Sequence, residues 1–186
     1  MFSINAYSVT ILEYKLYLHG VKVGKVVFKV GNNTLIAKGE STGIAKWLYK
    51  YNFAFKAVKD NYILLEKTKK KKKIYKNEDI YKKKPWLPLL AQFFKEDKEK
   101  YKKLKNKILQ IKDNKIHVNV IENKDEEIFE FLPEKGKTKA IRFYVKKGEK
   151  YPYRIEIEGK LDMYLTLKDI KEQEIKDFND VKIGKN

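Results

Sequence analysis

From Val9 to Leu18 the chain alternates. Leu12, Tyr14, Leu16 and Leu18 share one parity, and Glu13, Lys15, Tyr17 and His19 the other. Successive side chains of a strand point to opposite faces, so this is a half-buried antiparallel strand. His19-Gly20 turns it into a second strand over Val21 to Val30, where Val21 and Val23 hold one parity and Val26, Phe28 and Val30 the other. The switch at Gly24 predicts a bulge, because one extra residue flips every later side chain. Gly31-Asn32-Asn33 has turn chemistry and leads to a third strand, Thr34 to Glu40. Thr42 to Tyr49, with Ile44, Trp47 and Leu48 at helix-like spacing, predicts a short helix or wide loop under the sheet. Tyr51, Phe53, Phe55 and Ala57 resume the alternation, and Lys59-Asp60-Asn61 turns the chain into a strand around Tyr62 and Leu64.

The lysine run Lys69 to Lys73 reads as the tip of an exposed hairpin whose return strand begins at Ile74. Pro85 precedes an apolar stretch, Trp86 to Phe94, that predicts a helix packed on the sheet, since proline is tolerated in a first helical turn. A lysine-rich helix over about Lys95 to Lys105 is expected after it, with Tyr101, Leu104 and Ile108 on one face. Strands follow at Ile108 to Ile111 and Ile116 to Val120, flanking a turn at Asp113-Asn114, then at Ile128 to Leu132, Thr138 to Lys146, Tyr153 to Glu158 and Leu161 to Leu167. After Asp169 the chain is polar, which predicts one short helix and a frayed tail. These elements predict an all-β fold with one or two short helices: a single large curved antiparallel sheet forming an open or closed barrel. One domain is expected over 9–168, between an N-terminal tail, 1–8, and a polar C-terminal tail, 169–186.

Composition refines this picture. In 186 residues, 13 Tyr and 10 Phe supply an aromatic-rich core or cavity lining. The absence of cysteine excludes disulfides, thiolate metal sites and a thiol nucleophile. No run of 18 apolar residues is present, so no transmembrane helix is expected. The net charge is +18, and residues 67–107 hold 17 Lys against 5 acids. That segment reads either as a lysine-rich solvated surface or as a face for anions.

The chemistry-bearing patterns are thin. Gly39-Glu40-Ser41-Thr42-Gly43 fits the G-x-S-x-G nucleophile elbow. That motif works on a strand-to-helix turn of a parallel α/β sheet with an acid and a histidine downstream, and this chain has no βαβ rhythm. Ser41 is expected to serve a turn or helix cap, and no catalytic residue is assigned. His19 and His117 are the only histidines and neither has a partner at ligand spacing, so no metal site or cofactor is expected. Glu126-Glu127 and Glu156 with Glu158 read as parts of a solvated face.

Four residues stand out as binding candidates: Arg142, Arg154, Trp47 and Trp86. The two arginines are the only ones in the chain, lie on adjacent predicted strands, and face away from Ile141, Phe143, Ile155 and Ile157. A guanidinium suits a fixed carboxylate or phosphate better than an ammonium does. Pairing with the neighbouring Glu156 or Glu158 is the structural reading, and an anion site is the functional one. Both tryptophans sit in the predicted non-strand segments, where core plugs are the default and an exposed contact to ligand or membrane the alternative.

Three stretches carry a resemblance: Leu16-Tyr17-Leu18-His19-Gly20-Val21-Lys22-Val23-Gly24; Ser41-Thr42-Gly43 followed by Trp47-Leu48-Tyr49; and Tyr151-Pro152-Tyr153-Arg154-Ile155-Glu156-Ile157. Their order, over about Tyr14 to Leu167, resembles the bacterial family known as domain of unknown function 3108. The resemblance implies an exported, mostly β protein with a signal peptide, and it implies no catalytic residues. The lysine-rich insert at Lys67 to Lys73 and the segment after Phe94 depart from the family pattern. Ala6-Tyr7-Ser8, with small residues at alternate positions ahead of the first strand, is consistent with the remnant of an export signal.

The expectation is therefore a non-catalytic periplasmic or cell-envelope protein that binds an apolar or amphipathic ligand such as a lipid or glycolipid, or an envelope protein. Lysines of 67–107 would face an anionic surface. The alternative is a basic module for nucleic acid or acidic polysaccharide. Specific nucleic-acid binding is not expected, because the aromatics lie in the strands and the lysines at hairpin tips, whereas a stacking platform needs both on one face. A serine hydrolase at Ser41 is the third reading.

Overall fold

The alternating segments form twelve strands in the computed structural model, which describes residues 7–48 and 50–175. Six of them, β1 (Tyr7–Leu18), β2 (Val21–Gly31), β3 (Thr34–Ser41), β4 (Asn52–Val58), β5 (Asn61–Lys67) and β6 (Lys72–Lys76), make one meander. Six more, β7 (Lys107–Ile111), β8 (Asn114–Glu122), β9 (Glu126–Pro133), β10 (Ala140–Lys146), β11 (Arg154–Glu158) and β12 (Met163–Ile175), make a second. All lie in one sheet of order β6-β5-β4-β3-β2-β1-β12-β11-β10-β9-β8-β7. The first and last strands pair antiparallel at its centre and join the two arms. The sheet is open, with β6 and β7 as its edges, and the chain between them forms α2 (Asn77–Lys83), α3 (Trp86–Lys95) and α4 (Lys98–Lys102). A further short helix, α1 (Gly43–Leu48), interrupts the turn between β3 and β4.

The bulge falls where the parity switch puts it. Leu16 pairs with Gly24 and Tyr17 with Lys22, so Val23 is the extra residue. A Cβ on Gly24 would strike the carbonyl of Glu40 on β3, which is why glycine stands there.

The sheet curls around α3. Phe94 lies against Phe28 of β2 (ring centroids 4.9 Å apart) and Tyr14 of β1 (6.5 Å), while its neighbour Phe93 stacks on Phe143 of β10 (3.9 Å) and meets Phe129 of β9 (5.3 Å). Strands β2 and β9 are five places apart, which in a flat sheet would separate them by roughly 24 Å. Two adjacent side chains reach both only because the sheet is strongly curved. Leu87, Leu89, Leu90, Phe93 and Phe94 are all buried, each contributing roughly 1.5–3 kcal/mol of gross apolar burial. The concavity is thus a filled core, with α3 as its plug.

Three expectations need correction. Among the described residues there are four short helices rather than one or two, because α2 forms where the return strand after Ile74 ends. Asn77 anchors that switch by accepting the Tyr62 N–H through its side chain (2.8 Å), and Glu78, Asp79, Lys82 and Lys83 complement the helix dipole at the two ends. The expected lysine-rich helix over 95–105 shrinks to α4, since Glu96 takes an extended conformation and Asp97 caps a new start by accepting the Glu99 N–H (3.0 Å). The region after Asp169 forms no helix through Ile175. It extends β12 because the pairing with β1 continues to Tyr7↔Ile175, with Thr10 Oγ1 donating to Glu172 (2.8 Å). The expected N-terminal tail, 1–8, is likewise shortened, since Tyr7 and Ser8 already pair with Ile175 and Glu174 as the start of β1. Its residues 1–6 and the remainder of the C-terminal tail, 176–186, lie outside the described residues.

Candidate functional site

The two faces of the sheet differ in kind. The concave face is apolar and aromatic, and its few polar atoms are mostly internally paired. Tyr14 Oη donates to the Pro152 carbonyl (2.6 Å), and Tyr151 Oη donates to Thr10 Oγ1 (3.1 Å). Burial raises the Tyr14 hydroxyl far above its ordinary pKa, so it remains a neutral donor. Tyr101, also buried, donates to Glu96 (3.0 Å) and packs its ring on Phe93 and Phe131. Tyr62 Oη is buried without a hydrogen-bond partner among the described residues. Its ring stacks on Phe55 and meets the edge of Tyr81.

The helical plug is attached by apolar packing and a short series of polar ties. Lys84 pairs with Glu66, Lys95 Nζ donates to the Lys59 carbonyl (2.9 Å), Lys98 donates to the Glu149 carbonyl, and Lys102 pairs with Glu127 (2.6 Å). Burial pushes Lys95 and Lys98 below the ordinary lysine range. Where α2 meets the β7–β8 turn, an open hollow of about 200 Å³ is bordered by Tyr81, Ile111, Lys112 and Gly136. It is smaller than the roughly 300–1,000 Å³ of usual small-molecule sites.

The convex face carries the two arginines, and carboxylates occupy both. Arg142 Nε donates to Glu130 (2.7 Å) and its Nη1 donates to Glu158 (3.1 Å), with Glu156 at 3.9 Å. Arg154 pairs with Glu156 (2.7 Å) and lies over the ring of Tyr164 (4.4 Å to its centroid). Tyr144 Oη donates to Glu156 (2.8 Å); burial first, then that carboxylate, pushes the phenol up to about 12. Burial raises the Glu130 carboxyl, but hydrogen bonds from Asn119 and Arg142 outweigh it and hold the group below the usual range. This ladder is the cross-strand pairing that parity allowed. The sequence alone does not show Glu130, because nothing marks β9 as the partner on the far side of β10.

The tryptophans part company. Trp86 opens α3 and packs partly buried against the core, as expected of a plug. Trp47 does not lie under the sheet. It is 76% exposed on α1, beside Ile44 at 78% and Leu48 at 51%, and α1 has no buried residue.

The remaining candidates have structural uses. Ser41 ends β3, its N–H donating to the Tyr51 carbonyl (2.9 Å) and its Oγ accepting the Tyr51 N–H (3.1 Å). It therefore closes the base of the α1 excursion, a strand-to-helix turn in an antiparallel sheet. His117 Nε2 lies 2.9 Å from Glu134, and His19 occupies a left-handed turn position at φ 47°. No cluster of three metal-ligating side chains occurs among the described residues. None of the helices described is long and apolar enough to cross a membrane.

The chain matches no family model. A crystal structure of a LolA superfamily protein from Nitrosomonas europaea aligns over 91% of this chain and 87% of its own, at 12% identity and a TM-score of 0.30, too loose a likeness to argue from. With an uncharacterized protein of Aquifex aeolicus (strain VF5) the identity is 30% over 155 residues, 83% of each chain. The chain belongs to the family of that Aquifex protein.

Proposed function

We propose that this is a non-catalytic binding protein of the bacterial cell envelope, periplasmic in location, that holds an apolar or amphipathic ligand such as a lipid or glycolipid against the concave face of its sheet. The observation that carries this reading is the chemistry of the plug. The contact surface of α3 is a row of Leu and Phe side chains on a wall of Phe, Tyr, Val and Leu. An acyl chain would present that wall with the same apolar surface. Displacing α3 would then exchange one apolar contact for another, at the loss of the Lys95 bond to the Lys59 carbonyl and any of the Lys84, Lys98 and Lys102 ties that move with it. The insertion 77–106 joins two open edges, so α3 can leave without breaking any strand pairing. The resemblance to domain of unknown function 3108, with its exported members, supports the location.

The test is native mass spectrometry of the full chain recovered from the cell envelope, together with uptake of an environment-sensitive fatty-acid probe. A reproducible adduct of lipid mass and saturable, competable probe uptake are expected. A bare chain that also fails to take up the probe would refute the reading and leave α3 as a permanent core element.

A further inference from the structure

One end of the sheet exposes an apolar cluster that the concave face does not use. At that end lie the β1–β2 turn, α1, the β5–β6 hairpin tip and the β11–β12 turn, as the strand registers require. Ile44, Trp47 and Leu48 project from α1, with Val21 (65% exposed) at the start of β2 and Leu161 (55%) in the β11–β12 turn at the same end. The acids nearest α1 are already paired, Glu40 with Lys25 (2.9 Å) and Glu66 with Lys84. Segments 41–51 and 67–76 together hold nine lysines and no acid.

The two segments are physically joined, since Lys69 Nζ donates to the Trp47 carbonyl at the end of α1. Between them is a wide-open recess of about 370 Å³ bordered by Lys46, Trp47, Lys50 and Lys69. Large apolar side chains left in water beside a ring of ammonium groups suit a medium that is apolar inside and negative at its surface. Trp is the side chain best matched to the boundary between the two. A nucleic acid would satisfy the lysines and give Ile44 and Leu48 nothing.

We propose that α1 and the β5–β6 tip form a docking surface for an anionic lipid membrane. Ile44, Trp47 and Leu48 enter the headgroup–acyl boundary, and the ammonium groups of Lys46, Lys50 and Lys69 take lipid phosphates around the recess. The surface is separate from the concave wall and stands or falls independently of ligand uptake there.

The test uses the full chain and vesicles of phosphatidylglycerol mixed with phosphatidylcholine, against vesicles of phosphatidylcholine alone. Trp86→Phe leaves Trp47 as the single reporter. Sedimentation with the anionic vesicles is expected, with a blue shift of Trp47 emission and quenching by lipids brominated near the headgroup. Ile44→Ser with Trp47→Ser should weaken partitioning at least tenfold, without altering the circular dichroism spectrum, because no core residue is touched. Lys46→Glu or Lys50→Glu should each weaken it by roughly fivefold or more. Absence of partitioning, or partitioning unaffected by the Ile44/Trp47 pair, would overturn the proposal. So would a single-stranded oligonucleotide that binds more tightly than the vesicles and protects Trp47.

Discussion

Removing the Phe93 ring tests whether α3 is held by the contacts described. The ring is buried, stacks at 3.9 Å on Phe143, and meets Phe129, Phe131 and Tyr101 at 5.3–6.2 Å. Phe93→Ala leaves a cavity walled by four aromatic rings that belong to one helix and two strands, so it cannot readily collapse. A loss of about 4 kcal/mol is expected, the middle of the range for Phe→Ala in a core. At this chain length that corresponds to a drop of roughly 8–16 °C in Tm. The assay is urea unfolding followed by circular dichroism, with Ile44→Ala as a control expected to change stability by less than about 0.5 kcal/mol. A loss below about 1 kcal/mol would refute the packing, because α3 would then not be seated on the sheet in solution. The same variant bears on function. A plug weakened by this much should yield its place to a fatty-acid probe at lower concentration than the native chain requires. Unchanged probe affinity alongside the full stability loss would separate the core from the ligand site.

Arg142→Lys should cost about 1–2 kcal/mol, because a single ammonium cannot serve Glu130 and Glu158 as the guanidinium fork does; urea midpoints check this, and vesicle and probe binding should be unchanged. In Gly39→Ala, the new methyl would collide with the Phe53 ring that lies across Gly39 from β4, and a loss of roughly 1–3 kcal/mol is expected by thermal unfolding. Acid should destabilise the fold. Burial raises Glu66 and Glu130, but hydrogen bonds from Lys84 and Tyr51, and from Asn119 and Arg142, leave both folded carboxyls below their ordinary value of 4.5. The unfolded chain therefore takes up protons first, and the contribution of these groups is full above about pH 4.5 and lost as pH falls through their folded values. A urea midpoint that stayed constant from pH 6 to pH 3 would refute this.

Most of the sheet was legible in the sequence because one face of nearly every strand is buried. Leu12 and Tyr14, Phe55 and Ala57, and Ile155 and Ile157 each alternate with polar neighbours, and parity alone put Arg142 and Arg154 on the outer face. The far half of β12 was not legible for the complementary reason: Lys171 to Glu174 are exposed, so no apolar period marks the strand, and only the backbone ladder to β1 reveals it. The acid-then-base order of Asn77–Lys83 was a readable signal for α2 that the neighbouring lysine run obscured. For Trp47, helical spacing of Ile44, Trp47 and Leu48 suggested a buried stripe. The helix is six residues long and stands off the end of the sheet, and no sequence pattern distinguishes a stripe that meets a core from one that meets nothing.

The seam between β1 and β12 also governs when this molecule can become itself. Eleven of the strand pairings tie the sheet together, and ten of them link strands that follow one another in the chain, including the helix-free hairpins of both arms. The remaining one, between Tyr7–Leu18 and Met163–Ile175, spans nearly the whole chain. Each arm can fold on its own schedule, but the curvature that closes around Phe93 and Phe94 needs both arms in one sheet. Loop closure over some 150 residues is thus a late and slow event. A chain emerging from its N-terminus, as in synthesis, would keep its two arms unjoined until its last strand had appeared.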